Sequence, residues 1–517
     1  MEEISDWLRL ADKFADDGNA QAMLGAAQEI LELDKNSADG FAVLAEANLY
    51  LGNLDAAEKL APDNLRGRLV KAAVAAERFE LIVALKSFAE VQAEARATGN
   101  RKILSKALAW SANSLYLAGD AKTAAENLRE ASALTGSAEL FSKHLFLSNY
   151  NGGAAKSVAQ EYDKFFAGVE QFQHENHHAG KKIRVGYISP DFRQHAVANF
   201  VKPLLSDFDA ENFEVSVYQN GASDFVTAKL KNDKVHWRDL NGLDAETVAR
   251  IIYADGIDIL VDLSGHTQNS CLPVLAYKPA PVQICAIGYT ATTGLSAVDY
   301  VLSDTNCAAD ENNFTEKILR VEGCQLCYAP FADMPAVAHK KNSRVTFGSF
   351  NNFAKVTDEV LELWREILNA VPNSRLIVKS KICSVPDGRK IVMRRLKDLP
   401  VELRPYSRDY LEQYNDIDIA LDTFPYNGGV TTCEALYMGV PVVTLRGGLG
   451  ASILTAAGCQ EFIAQDAGEY IKKAVGLSQR RNLNLREKVL ASRLMDGKRY
   501  MRALEKIYRE ILDGGRE

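Results

Sequence analysis

The pattern of apolar and polar positions changes character along the 517-residue chain. Through residue 150, apolar residues recur at helical spacing, alanine is abundant and proline scarce, which predicts amphipathic helices packed through small side chains. ADDGNAQAMLGAAQEIL around Gly18, NLYLGNLDAAEKL around Gly52 and SLYLAGDAKTAAENL around Gly119 share one design: an apolar helix end, a glycine turn and a second amphipathic helix. The glycines lie 34 and then 67 residues apart, close to one and two periods. The repeat between is degenerate, with Arg78 near the turn slot. Stacked helix pairs offer a groove suited to an extended peptide or a partner helix; a plain helical bundle is the alternative.

Residues 151–180 predict a connecting helix and a polar linker, in which His174, His177 and His178 lack the carboxylate or cysteine pattern of a metal site. From residue 181 short β-branched runs alternate with helical stretches. Residues 183–189, 213–219, 258–265, 283–289 and 298–304 read as buried parallel strands of a first α/β lobe, 181–335. Residues 345–350, 374–380, 417–424 and 442–445 read likewise in a second lobe, 336–517. Ligands of such sheets sit at the carboxyl ends of the strands, so the residues just past those ends carry the candidate chemistry.

In the second lobe, YNGGVTTCEALYMGVP (426–441) follows one apolar run and precedes another. Gly428 and Gly429 allow close backbone approach, and Thr431 and Thr432 open a helix whose first N–H groups and dipole favour a phosphate or diphosphate. An ordinary capped helix start is the alternative. Lys355 precedes an amphipathic helix, where its ammonium reaches a phosphate as a point charge. Tyr406 and Ser407 lie on a loop where a base can stack on the ring. In the first lobe, Asp191 and His195 follow the first strand, His266 and Thr267 the third, and Tyr289 and Thr290 the fourth. A histidine near neutral pKa suits general-base work on a hydroxyl; capping a helix or binding a backbone carbonyl is the alternative for each. Asp416 and Asp418 spell the D-x-D of metal-dependent transferases, but Ile417 and Ile419 place the pair at the start of a buried strand, as structural residues.

Composition narrows the classes. A net charge of −8 argues against nonspecific nucleic-acid binding. No apolar run is long enough for a membrane span, and the acidic start MEEISDW is unlike a secretory signal, so a cytoplasmic protein is expected. All eight cysteines follow residue 270, which favours reduced thiols. Cys324 and Cys327 form a lone C-x-x-C, expected to pack on a strand end.

The 34-residue period resembles the tetratricopeptide repeat. Two lobes in tandem, with a phosphate turn in the second and candidate bases in the first, describe the GT-B arrangement of nucleotide-sugar glycosyltransferases. Five motifs in order, RVGYISPDFRQHAV, ILVDLSGHT, KPAPVQICAIGYTATTGLSAVDYVLSD, FGSFNNFAKVTDEVLELWREILNAVPNSRL and ALDTFPYNGGVTTCEALYMGVPVVTL, resemble the O-GlcNAc transferase/SPINDLY-like protein glycosyltransferases. The resemblance implies inverting, metal-independent transfer of a sugar from a nucleotide donor to Ser or Thr hydroxyls, with no cofactor. UDP-GlcNAc and GDP-fucose both stand as donors, and the acceptor is a protein or peptide along the repeat groove. Onto this chain it carries His195 as the catalytic-base position and Lys355 as the diphosphate lysine. Thr431 and Thr432 become the phosphate threonines, Glu434 a ribose partner, Asn351 and Asn352 the polar turn beside the donor, and His266 part of the GHT turn. Three features depart from the family: Val430 replaces a threonine, RGGLGASIL (446–454) is short, and GYTATTG replaces GYPGTTG. The shortened loop motivates a second reading, a repeat scaffold whose lobes only bind a partner. Transfer to a small-molecule or lipid-linked glycan is a third.

Overall fold

The computed structural model describes residues 2–174, 182–307, 310–338, 344–479 and 484–514. His177 and His178 lie outside them. The chain forms two compact units, Met1–His144 with Ile382–Arg395, and Leu145–Lys381 with Leu396–Glu517. The boundary between the units lies inside helix Ala138–Ser148, close to the repeat boundary expected at residue 150. Helix Pro386–Arg395, read from sequence as part of the second lobe, groups with the repeats.

The repeats comprise α1 (Glu2–Asp16), α2 (Ala20–Leu33), α3 (Ala38–Tyr50), α4 (Leu54–Leu60), α5 (Leu65–Glu77), α6 (Leu81–Ala97), α7 (Arg101–Leu117), α8 (Ala121–Thr135) and α9 (Ala138–Ser148). Asn19, Ser37, Asn64, Asn100 and Asp120 cap their helices by accepting a backbone N–H three residues on, each worth about 1 kcal/mol. The turn within each of the first four pairs places one residue at positive φ: Gly18, Gly52, Phe79 and Gly119. Phe79 thus fills the slot that the degenerate repeat lacks a glycine for. The spacing survives because α4 has 7 residues and α6 has 17.

The first helices of these pairs share a face, and side chains cross it. Glu46 of α3, 0% exposed, meets Arg66 of α5 at 2.6 Å and Lys106 of α7 at 2.5 Å. Asp12 of α1 meets Arg66 at 3.1 Å and Lys102 of α7 at 3.2 Å. The peptide groove expected on this face is bridged by the protein's own ion pairs from α1 to α7.

In the first lobe, β1 (Ile183–Ser189), β2 (Phe213–Gln219), β3 (Val235–Asp239), β4 (Ile259–Asp262), β5 (Val282–Cys285), β6 (Tyr300–Ser303) and β7 (Lys317–Arg320) form a parallel sheet of order β3-β2-β1-β4-β5-β6-β7. In the second, β8 (Thr346–Ser349), β9 (Arg375–Lys379), β10 (Val401–Arg404), β11 (Ile419–Leu421), β12 (Val442–Leu445) and β13 (Ile463–Ala464) form a parallel sheet of order β10-β9-β8-β11-β12-β13. The order reverses between β1 and β4 and between β8 and β11, so each lobe has a switch point where loops part and leave a crevice.

The final helix, Gly497–Asp513, belongs to the second lobe by sequence but packs on the first. The Tyr508 and Tyr187 hydroxyls lie 3.4 Å apart, Glu505 accepts from Asp209 N at 2.7 Å, and Tyr500 donates to the Gln325 carbonyl at 2.9 Å. No helix among the described residues is long and apolar enough to cross a membrane.

Candidate active site

The second-lobe switch point is organised by a residue the sequence reading passed over. Asp422, 1% exposed just past β11, accepts from Gly428 N at 2.8 Å, Thr444 Oγ1 at 2.7 Å and Asn427 Nδ2 at 2.9 Å. Burial raises its pKa, and the Gly428 and Thr444 donors and the Lys355 charge oppose the rise. The three donors also fold residues 423–429 into a turn that delivers helix Val430–Tyr437. That helix begins at Gly429 with no side-chain cap, so its first N–H groups remain for water or an anion. Thr432 Oγ1 donates to Gly428 O at 3.0 Å, while Thr431 Oγ1 donates to Asn351 Oδ1 at 2.8 Å, joining the loops after β11 and β8.

Gly428 is sterically required. A Cβ there would meet Thr431 Oγ1 at 2.5 Å, Asn351 Oδ1 at 2.8 Å and Thr432 Oγ1 at 2.8 Å, whereas at Gly429 it would meet only Leu449 Cδ2 at 3.5 Å. Gly428→Ala is expected to weaken nucleoside diphosphate binding about tenfold, with Gly429→Ala near wild type, as read by calorimetric titration.

Asn352 Oδ1 accepts from Ala354 N at 3.2 Å and caps the turn that carries Lys355. The Lys355 ammonium donates to Asn427 O at 2.8 Å and lies 4.5 Å from the Tyr426 ring centroid. Burial pushes its pKa down to about 8, opposed by Asp422. A half-buried ammonium beside an uncapped helix start is suited to a diphosphate.

Glu434, 4% exposed, accepts from the hydroxyls of Tyr410 and Tyr414, and burial raises its pKa to about 7. Tyr410 thus occupies a carboxylate oxygen assigned by resemblance to a ribose. Tyr406 is 56% exposed with Lys381 Nζ 5.9 Å from its ring centroid. Ser407 instead pins its loop, accepting from Lys379 Nζ and Gln413 Nε2, each at 2.8 Å.

In the first lobe His195 Nδ1 lies 3.4 Å from Asp191 Oδ2, and the imidazole is 38% exposed. Burial lowers its pKa; Asp191 opposes this, and Arg193 and Lys381 add to it. Lys381 comes from the second lobe, so its field reaches His195 from across the switch points. His266 is placed differently. Its ring is 1% exposed, Nε2 donates to Thr293 O at 2.8 Å, and Tyr162 and Tyr289 meet it edge-on. Thr267 Oγ1 donates to Ser264 O at 2.8 Å, Thr290 is half-buried, and the Tyr289 hydroxyl accepts from Asn149 at 3.2 Å. His266 therefore takes the carbonyl-binding alternative. Asp262 shapes its turn by accepting from Gly265 N at 2.6 Å, as Asp422 does in the second lobe.

Other motifs are structural. Asp418 accepts from Thr346 N at 2.7 Å, and Asp416 pairs with Arg404 at 2.8 Å. Cys324 and Cys327 are buried free thiols, pushed up to about 12 by burial. His174 Nε2 donates to Lys278 O at 2.7 Å. Among the described residues no group of three or more His, Cys, Asp or Glu could hold a metal ion. The short loop 446–454 turns at once into helix Leu449–Ala456, again without a side-chain cap, and Arg446 is exposed with its guanidinium 3.4 Å from Gln465 Oε1.

Two parallel-sheet lobes, with an uncapped helix start and a half-buried lysine at the second switch point, give the GT-B fold, preceded by helical repeats. Residues 164–323 and 338–504 match glycosyl transferase family 41, and the chain belongs to that family. It is 38% identical over 365 residues to a rice (Oryza sativa subsp. japonica) protein named probable UDP-N-acetylglucosamine–peptide N-acetylglucosaminyltransferase SPINDLY, covering 64% of this chain and 39% of that protein. The Arabidopsis thaliana protein of the same name is 38% identical over 360 residues, again 64% of this chain and 39% of that one. The chain thus spans well under half the length of these relatives. A solved mutant of the Thermobaculum terrenum O-GlcNAc transferase superposes with a TM-score of 0.74 at 27% identity, covering 99% of this chain and 97% of that one.

Proposed function

We propose that this chain transfers GlcNAc from UDP-GlcNAc to Ser or Thr hydroxyls of protein acceptors, with inversion and without a metal ion. The observation that carries the reading is the Lys355 ammonium, held by Asn427 O and the Tyr426 ring beside the uncapped start of helix Val430–Tyr437. The helix start takes the diphosphate through its N–H donors, and Thr431 joins them by turning its hydroxyl away from Asn351 Oδ1. Lys355 neutralises the charge that grows on the leaving phosphate as the glycosidic bond breaks. His195, whose lowered pKa keeps it neutral at pH 7, takes the proton of the acceptor hydroxyl on the opposite face of the sugar, and attack there inverts the anomeric carbon. The names of the rice and Arabidopsis relatives support GlcNAc and a peptide acceptor. The ion pairs bridging the first helices of the repeats support a reading in which the acceptor is held at the lobes.

Incubation with UDP-GlcNAc or GDP-fucose and a Ser/Thr-rich acceptor protein, read by intact mass, tests this reading. A HexNAc increment is expected. A deoxyhexose increment from GDP-fucose alone would transfer the same chemistry to the other donor, and binding without either increment would favour the scaffold reading. His195→Ala is expected to lower kcat by about 10²–10⁴. In wild type, kcat/KM should rise with pH through a group below the ordinary histidine value of 6.5 and fall above about 8 as free Lys355 loses its proton.

A further inference from the structure

We infer that Asn149 and Tyr150, in the turn that follows α9, are positioning residues of the donor site, joining the cleft loops of both lobes and holding Tyr426 over Lys355. The inference rests on the donor reading above. Tyr150, 4% exposed, stacks on Tyr426 with centroids 4.8 Å apart and planes 4° from parallel. Phe146 meets Tyr150 edge-on at 5.8 Å and Tyr426 at 6.4 Å. Lys355 Nζ lies 4.5 Å from the Tyr426 centroid and donates to the carbonyl of the next residue, Asn427. Asn149 Nδ2 donates both to Leu145 O at 3.0 Å, fixing it on the end of α9, and to the Tyr289 hydroxyl in the first lobe at 3.2 Å.

Tyr426 belongs to a loop, and a loop ring keeps one pose only if both its sides are supported. Here Phe146 and Tyr150 supply the support and Lys355 the cation, and the Tyr426 face limits the water that reaches the half-buried ammonium. The ionisable groups that face Lys355 are Asp422, whose charge favours the ammonium, and the Tyr426 phenol; Tyr150 lies behind Tyr426. Losing the Tyr150 ring frees Tyr426 to tilt, admits water to Lys355 and moves its pKa back toward 10.5.

The test labels Lys355 in the full chain with acetic anhydride across a pH series and reads the Lys355 peptide by mass spectrometry. The wild-type labelling midpoint is expected near pH 8. Tyr150→Phe keeps the stack and should keep the midpoint, whereas Tyr150→Ala and Tyr150→Leu should move it upward. UDP-GlcNAc turnover by these two variants should fall about tenfold in kcat, with the alkaline limb of kcat/KM moving upward in step. Tyr253→Leu breaks a separate stack, with Phe172 at 4.3 Å, and should leave the midpoint in place. An unchanged midpoint in the Leu variant overturns the inference even if the Ala variant does not fold. If wild type turns over no nucleotide-sugar, the proposed activity fails while the labelling still decides the positioning role.

Discussion

Replacing Lys355 with Ala is expected to lower sugar transfer by a factor on the order of 10²–10³ while the melting temperature holds or rises. The two effects separate because the ammonium is costly to the folded protein in the absence of donor. Burial pushes its pKa down to about 8 from 10.5, and Asp422 only partly compensates. The folded state therefore binds fewer protons than the unfolded chain between these values. The burial penalty is present in full below about pH 8 and fades as pH rises toward 10.5, so Lys355→Ala gains most stability at neutral pH. The charge acts only when an anion arrives at the helix start. Lys355→Arg keeps a charge that does not titrate, but presents it as a planar fork in place of the compact point charge that donates to Asn427 O. It should retain little rate, and the alkaline limb near pH 8 should vanish from what remains. Initial rates with UDP-GlcNAc across pH, alongside thermal melts, measure both effects. A Lys355→Ala variant transferring at the wild-type rate would remove the basis of the donor-site reading.

Replacing Glu46 with Ala is expected to cost the repeat unit about 3–5 kcal/mol. Glu46 is fully buried and balances both Arg66 and Lys106; without it two cations remain close together, each only 12% exposed. Burial by itself would raise the Glu46 pKa, but Arg66 and Lys106 override it and hold the carboxyl below its ordinary 4.5. The stabilisation from its ionisation is therefore present in full above the ordinary carboxylate range and is lost as pH falls through the lower folded value. Urea unfolding at pH 7 should show an early transition for Glu46→Ala. Replacing Glu46, Arg66 and Lys106 together by apolar residues of similar volume should recover much of the loss. A single variant within about 0.5 kcal/mol of wild type would show that the network contributes little. If the triple variant stays folded and binds peptides more tightly than wild type, the ion pairs are what keep the repeat face closed.

The buried strands of both sheets were legible because each is a continuous apolar run bounded by turn residues. The edge strands β3, β7, β10 and β13 were not: VHWRD, KILR and VELR carry charged residues where one side of the strand meets solvent, and β13 is only 2 residues long. The turn proposed for a phosphate was legible as a strand, two glycines, two threonines and a helix. Asp422 and Tyr426 were not, since a strand-end carboxylate or loop ring acquires its role only from what reaches it across the fold. His195 and His266 looked equivalent in sequence, each just past a strand end. The structure separates them, because His266 closes on Thr293 O under two tyrosine rings while His195 keeps an exposed edge beside Asp191.

By itself the sequence determined the repeats, the two lobes, the family and the glycine–threonine turn proposed for a phosphate, because these depend on local periodicity and on motifs contiguous in the chain. Tertiary structure alone decided which carboxylate folds that turn, which aromatic rings hold Lys355, and that the repeat face is crossed by its own ion pairs. Each of these joins side chains far apart in sequence, and burial sets the charge state of such groups only once the chain has folded around them.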